Sequence, residues 1–474
     1  MRTTDGRLIE PVAVLVLLAI GLIACGKKSG AIPDPNIARF IAGRRAHATE
    51  LAQAQTSSVP NSVWNFFDAV EHDDWDRATN LFTQLQKESA RFPQQTLKPK
   101  LLQVVVEKLG FSTTPAAALQ TALWAPISET IGTYEQFHDW DRKWLRRFAQ
   151  DVIGAIPSNS VYFGGTDPGR FLISAYSESY RDGRPFFTIT QNQLADGTYL
   201  DYVRGMYGHR LHIPTAQDSQ TAFQEYLTDA QKRLQANQLK AGEDVRLVQN
   251  RVQVSGQVAV MEINGLLARM LVDKNPDRDV YVEESFPLEW MYPYLEPHGL
   301  IMKLNREPLR ELSEETIKRD GDYWNKYVGE LLGDWLSAET PVSEVCEFCR
   351  TIYLRKDLAG FRGDVAFARN AEAQKTFSKL RSSIGGVYAW RAEHGSFTER
   401  QRMSLEADFA FKQALALCPY SPEAVYRYVN LLLSQRRVVD ARLIAETLVA
   451  LAPQDNNAKD LLERIAQQEG RSAK

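Results

Sequence analysis

The sequence predicts an α/β protein with large all-α flanks, in which a central, mainly parallel sheet covered by helices is followed by C-terminal helical hairpins. Three observations predict it. Residues 160–305 alternate short apolar runs with helical patterns, the texture of strands joined by covering helices. On either side, apolar residues recur three and four positions apart, as amphipathic helices require. Near the C-terminus, Ala414-Leu415-Ala416-Leu417-Cys418-Pro419 returns 34 residues later as Leu448-Val449-Ala450-Leu451-Ala452-Pro453.

The chain begins with a targeting segment. Residues 12–24 are almost purely aliphatic. At roughly 1.5 Å per residue they make a helix of about 20 Å, short of the roughly 30 Å of hydrocarbon that a spanning helix crosses. A cleaved export signal over residues 1–24 fits this length, with an uncleaved signal anchor as the alternative. Leu22-Ile23-Ala24-Cys25 resembles the lipobox of bacterial lipoproteins, although Asp5 and Glu10 dilute the positive start given by Arg2 and Arg7. The resemblance implies that Cys25 is acylated and becomes the first mature residue. The protein is then held to a membrane by lipid, on the periplasmic side of the bacterial cell envelope. Several acyl chains at roughly 0.8 kcal/mol per buried methylene suffice for stable anchoring.

The whole chain is 44% hydrophobic and 24% charged, a globular balance that predicts two or three folded units. Removing residues 1–24 takes away two basic and two acidic residues, so the net charge stays at -3 and nucleic acid is not an expected partner. With Cys25 lipidated, Cys346, Cys349 and Cys418 remain, an odd number that makes no disulfide framework. Cys346-Glu347-Phe348-Cys349 sits inside a helical pattern, not at a helix start after a strand, so buried thiols are expected before redox chemistry.

In chain order, residues 25–59 read as a tether that becomes helical before Pro60. Residues 60–150 form a helical region, with a hairpin about His72-Asp73-Asp74 and further helical character over 101–109 and 116–124. Over 133–156, Tyr134, Phe137, Trp140, Trp144, Leu145, Phe148, Val152 and Ile156 make an aromatic stripe expected to be core. The α/β unit spans 155–310. Its expected strands are 161–163, 185–189, 211–213, 245–248 with 251–254 as a hairpin, 279–282 and 300–304; its helices are 171–180, 197–207, 222–234 and 258–272, with one more around Trp290. Residues 311–372 connect helically to repeats over 373–474. The 34-residue spacing also relates Ala407 to Ala441, and with Ile384-Gly385-x-x-Tyr388 it resembles the tetratricopeptide repeat. An insertion of about ten residues (394–402) is expected before the second helix of the first repeat, and a closing helix over 456–468. Such hairpins expose a groove for a peptide or partner helix, or else buttress the α/β unit.

The best candidate site is the stretch 159–170, where a strand empties through glycines into a helix start. Unpaired N–H groups and the positive end of a helix dipole converge at such a point. Gly164, Gly165, Thr166, Asp167, Gly169 and Arg170 are the candidate ligand-binding residues. The spacing has a phosphate-loop look, but Arg170 stands in place of lysine and Phe171 in place of the magnesium-binding hydroxyl. Asp167 before Pro168 reads as a helix cap, and Arg170 with the turn's N–H groups as an anion holder. Glu283 and Glu284 follow a strand toward the same sheet edge, and Glu284 joins the candidate set. His209 and His212 alternate across an expected strand, so no zinc site is expected, nor any cofactor. No G-x-S-x-G, H-E-x-x-H or calcium loop is present, and no catalytic residue is assigned.

Ser160-Val161-Tyr162-Phe163-Gly164-Gly165-Thr166-Asp167, Asp279-Val280-Tyr281-Val282 and Tyr292-Pro293-Tyr294-Leu295-Glu296-Pro297-His298-Gly299-Leu300 are similar to the soluble domain that follows the membrane helices in bacterial protein O-mannosyltransferase-like proteins. The membrane half that carries that family's transfer chemistry has no counterpart here, so the resemblance implies an accessory or binding protein. Two functions are therefore expected in order: a lipid-anchored interaction protein whose repeats bind an envelope protein or peptide, acting in envelope or glycan assembly; and, as the alternative, a carbohydrate-active or sugar-phosphate-binding enzyme using Asp167, Arg170 and Glu284.

Overall fold

In the computed structural model, which describes residues 31–89, 116–248, 251–283 and 288–472, the first helix starts where Asp34 accepts the N–H groups of Asn36 and Ile37 and Pro35 opens the first turn. This helix, α1 (Pro35–Gln53), buries Ile37, Phe40, Ile41, Arg44 and Ala48. The stretch read as a tether is therefore a packed helix from Pro35 onward. Arg44 explains why it escaped notice, since it puts a charge on the buried stripe. Its guanidinium pairs with Glu129 at 2.9 Å, bonds the Tyr202 hydroxyl and lies 4.3 Å from the ring centre of Tyr180.

Next come α2 (Asn61–Glu71) and α3 (Trp75–Glu88), the expected hairpin. Their turn residue Asp73 accepts from the Tyr134 hydroxyl at 3.0 Å and lies 3.1 Å from His138 Nε2. The helical character expected over 101–109 falls outside the described residues. The stripe over 133–156 is divided between α4 (Trp124–Asp139) and α5 (Arg142–Ala155), the second capped by Asp141. All of its aromatic residues are buried.

The central sheet joins β1 (Val161–Gly164), β2 (Phe187–Thr190), β5 (Val280–Glu283), β6 (Leu295–His298) and β7 (Ile301–Leu304) in the order β2-β1-β5-β7-β6. β1 is parallel to β2 and β5, while β7 runs antiparallel to β5 and β6, so the sheet is mixed, with its parallel half at the β2 edge. Between these strands the chain forms α6 (Asp167–Ser177), α7 (Gly197–Tyr207), α8 (Ala216–Gln235) and α9 (Gly256–Asp273). β3 (Asp244–Val248) and β4 (Arg251–Ser255) form the expected hairpin as a separate two-stranded sheet on a small second core of Tyr226, Ala230, Val245 and Ala259. The strand expected at 211–213 does not form. The Asn275 side chain takes the place of a neighbouring strand there, accepting from His212 N at 2.9 Å and donating to His212 O at 3.0 Å. The helix expected around Trp290 is a 3₁₀ segment, Glu289–Tyr294, leading into β6, a strand the sequence did not reveal.

The chain then runs through α10 (Glu314–Leu332), α11 (Val342–Cys349), a π-helical turn (Arg350–Leu354) and α12 (Val365–Arg369) to α13 (Ala371–His394), α14 (Phe397–Leu417), α15 (Pro422–Ser434), α16 (Val438–Leu451) and α17 (Asn456–Ser472). The insertion expected in the first repeat is absorbed as extra helical turns. α13 and α14 have 24 and 21 residues, against 13 and 14 in α15 and α16. Cys346, Cys349 and Cys418 are buried free thiols, and burial pushes the Cys418 thiol up to about 12.

Among the described residues, one apolar cluster takes in buried side chains from Ile32 to Ile465. Its junction is Phe377 on α13, whose ring lies 5.2 Å from Tyr327, 6.2 Å from Phe148 and Phe367, 6.3 Å from Trp144 and 6.4 Å from Trp140. Two buried ion pairs add to it. Asp320 on α10 accepts from Arg381 and the Tyr388 hydroxyl of α13, both at 2.7 Å. Arg391 of α13 pairs with Glu399 of α14 at 3.0 Å, and Glu399 also accepts from Leu312 N at 3.1 Å. The first repeat hairpin is thus part of the central core.

Candidate functional site

β1 ends at Gly164, whose register partner is Glu283, the last residue of β5. Two residues on, Thr166 caps α6 by accepting from Gly169 N at 3.1 Å, so the cap is the threonine and Asp167 is the first helical residue. This corrects the reading of Asp167 as the cap. Its carboxylate instead pairs outward with Arg170 at 2.6 Å and is 61% exposed.

The decisive side chain is Glu283. Fully buried, its carboxylate accepts from Gly165 N at 3.2 Å, Thr166 N at 3.1 Å and the Thr166 hydroxyl at 2.7 Å. The N–H groups expected to hold a ligand anion are directed at the protein's own carboxylate, as helix N-termini and turn nests favour. Glu283 also explains the glycines. A methyl group on Gly169 would overlap the Glu283 carboxylate, and one on Gly164 would press to 2.9 Å from Gly169 O and 3.0 Å from Arg170 Cα. The Tyr162 hydroxyl donates to Gly169 O at 2.9 Å and fixes the first turn of α6 to its strand. Asn192, after β2, donates to Gly165 O at 3.3 Å.

Around this turn stands a rim of charge. The Arg170 guanidinium lies 4.3 Å from the ring centre of Phe171, with its Nε buried and without a hydrogen-bond partner. On α13, Lys379 pairs with Glu423 of α15 at 2.9 Å; those charges, with Asp167 and Glu283, outweigh the burial that opposes them and hold its ammonium pKa above the ordinary value. On α4, Glu135 is solvent-accessible but crowded by the surrounding elements. Desolvation, then the charges of Asp167 and Asp139, push its carboxyl up to about 7, with Arg170 opposing.

The structure therefore brings Gly164, Gly165, Thr166, Asp167, Gly169 and Arg170 into one turn, while Glu284 lies outside the described residues. Glu283, Glu135, Lys379 and Glu423 complete the surroundings and were not in the candidate set. For Glu283 the signal was its place at the end of a strand neighbouring a glycine turn. No sequence signal links Glu135 or Lys379 to residues so distant in the chain. The lipidation candidate Cys25 and the apolar run 12–24 also lie outside the described residues. Among the described residues, no helix is long and apolar enough to cross a membrane, and no three His, Cys, Asp or Glu side chains gather as a metal site.

The tetratricopeptide repeat family matches residues 406–465, from the middle of α14 to α17. The chain thus carries tetratricopeptide repeats, a scaffold for protein interaction. No curated protein and no solved structure matches it.

Proposed function

We propose that this protein is a lipid-anchored interaction protein on the periplasmic side of a bacterial membrane, whose C-terminal repeats dock another envelope protein or peptide in cell-envelope or glycan assembly. The observation that carries the reading is the repeat match over 406–465, which runs from the second half of α14 through α15 and α16 into α17. The lipobox-like Leu22-Ile23-Ala24-Cys25 supports the anchor. The likeness of 155–310 to the soluble part of protein O-mannosyltransferase-like proteins supports an accessory role near glycan chemistry. The alternative, a carbohydrate-active or sugar-phosphate-binding enzyme working at 164–170, is disfavoured because Glu283 already occupies the anion position of that turn.

Two measurements test this. Mass spectrometry of the membrane-extracted protein should show a mature chain beginning at an acylated Cys25, and Cys25→Ala should release it from the membrane. A photo-crosslinking residue placed in turn at exposed positions of the repeat helices α14 to α16 should trap a defined envelope protein at one or more of them, whereas one at Gln224 on α8 should not. Equal labelling at Gln224 and at the repeat positions would refute the docking role.

A further inference from the structure

The repeat period extends to residues outside the core. Gln401-Arg402 and Leu405 on α14 return 34 positions later as Gln435-Arg436, in the turn between α15 and α16, and Val439 at the start of α16. Core positions must recur in any helical repeat because each helix packs the same way. Surface positions are under no such constraint, yet here the same chemistry returns. Leu405 is 69% exposed, Val439 56%, and Phe397, two turns before Leu405, 90%. The two copies are contiguous, because Gln435 of the second donates to Ser404 of the first at 2.9 Å.

Charges of both signs stand beside these apolar residues, and two of the cations, Arg400 and Arg436, make no ion pair among the described residues. Among the described residues the Arg436 side chain has no partner and that of Arg400 donates only to Gly395 O, while Arg402 pairs with the exposed Glu314 at 3.4 Å. The acids beside them are Glu311, which accepts from the Ser396 hydroxyl at 2.7 Å, Glu314, the half-buried Glu406 and the paired Asp440.

The concave face is less available. The first helices of repeat hairpins line it, and here α13 lies against β6 and β7. Its Lys379 is paired with Glu423, and Arg427 of α15 donates to Ser382 O at 3.0 Å.

Resting on the interaction reading above, we infer that the partner docks on the outer edge formed by Phe397, Leu405, Val439, Arg402 and Arg436, and that it is a polypeptide presenting apolar side chains flanked by carboxylates. Exposed apolar residues with interspersed guanidinium groups fit such an acidic amphipathic segment. The aliphatic side chains are buried on docking, and the arginines pair with its acids.

The test pans a phage-displayed random peptide library against the immobilised full chain and titrates the enriched peptides against variants. Leu405→Glu with Val439→Glu, and separately Arg402→Glu with Arg436→Glu, alter three exposed positions and the half-buried Arg402, and unchanged far-UV circular dichroism confirms folding. Tyr426→Ala with Asn430→Ala probes the face of α15 that carries Glu423. The expected result is enrichment of peptides with Asp or Glu beside Leu, Ile or Phe, whose affinity falls about ten-fold or more in either edge variant and holds in the concave pair. Peptides insensitive to the edge variants but lost in the concave pair would overturn this inference and leave the interaction reading standing. Failure to enrich any peptide would overturn both. Binding of phosphatidylglycerol vesicles that is abolished by the same edge variants would assign the edge to a membrane surface and overturn the inference as well.

Discussion

Removing the Glu283 carboxylate decides whether the glycine turn is a closed structural device or an open ligand site. In Glu283→Ala, the N–H groups of Gly165 and Thr166 and the Thr166 hydroxyl lose their acceptor. Each unsatisfied donor costs roughly 1–3 kcal/mol when buried. Gly165 N keeps its 2.7 Å bond to Glu283 O, and Gly165 and Thr166 are half-buried, so water compensates in part. The net expectation is a loss of about 2–4 kcal/mol. Glu283→Gln keeps the shape, and one oxygen can still face both N–H groups. Its amide must then donate to Thr166 Oγ1, which already accepts from Gly169 N. Losing the charge while keeping the geometry should cost about 1–2 kcal/mol. Urea unfolding followed by tryptophan fluorescence reads both values, and hydrogen exchange at Gly165 and Thr166 localises them. The alanine variant should also gain a response that the native chain lacks. An anion able to enter the vacated position, such as formate or phosphate, at about ten times its dissociation constant returns about 1.4 kcal/mol. If phosphate stabilises the native chain as much as the variant, or if Glu283→Ala costs less than about 1 kcal/mol, the turn is open as it stands and the reasoning is wrong.

Three further outcomes follow from the same geometry. Asp320→Ala should cost about 3–5 kcal/mol in urea unfolding because it strands the buried Arg381 guanidinium, whereas the double change Asp320→Leu with Arg381→Met should recover most of that loss. Arg44→Met should destabilise by about 3 kcal/mol, since it leaves Glu129 and Tyr202 without their cation; a neutral result in thermal melting would mean that α1 is only loosely held. For Glu135, the folded pKa of about 7 lies above the unfolded value of 4.5, so the native state binds more protons between those limits and stability declines as pH rises through that window. Glu135→Gln should abolish that decline, read as the difference in urea midpoint between pH 5 and pH 8.

The parts of this structure that were legible in the sequence are those decided by neighbours close in the chain. The start of α6, the bounds of α7 and the 34-residue register of the repeats all follow from turn chemistry and local periodicity. Where the sequence misled, a distant polar group had replaced the expected partner. The Asn275 amide stands in for a strand beside residues 211–213. Arg44 interrupts the apolar stripe of α1 and is satisfied by Glu129 and Tyr202, which come from elements far along the chain. α13 buries Gln374, Ser378, Arg381 and Ser382 besides its apolar residues, so it has no polar face from which an orientation could be read. The glycine turn is the sharpest case. Its spacing shows that an anion belongs beside it, but a phosphate and a carboxylate satisfy the same N–H groups, and the carboxylate enters from a strand 118 residues away.

That distance bears on where a partner can act. Because Asp320, Arg381, Tyr388, Arg391 and Glu399 join α10, α13 and α14 through buried charge, the first hairpin cannot swing to admit a ligand without breaking ion pairs whose loss costs several kcal/mol. A docking event worth about 8 kcal/mol, micromolar affinity, would lose much of its driving force to that opening. Recognition must then use surface that is already exposed, and the apolar side chains left there by the repeats are Phe397, Leu405 and Val439. The rigidity that makes the hairpin useless as a clamp makes that edge a preorganised one, so partner affinity should depend on the edge residues and be little changed by variants, such as Glu283→Gln, that loosen the central turn.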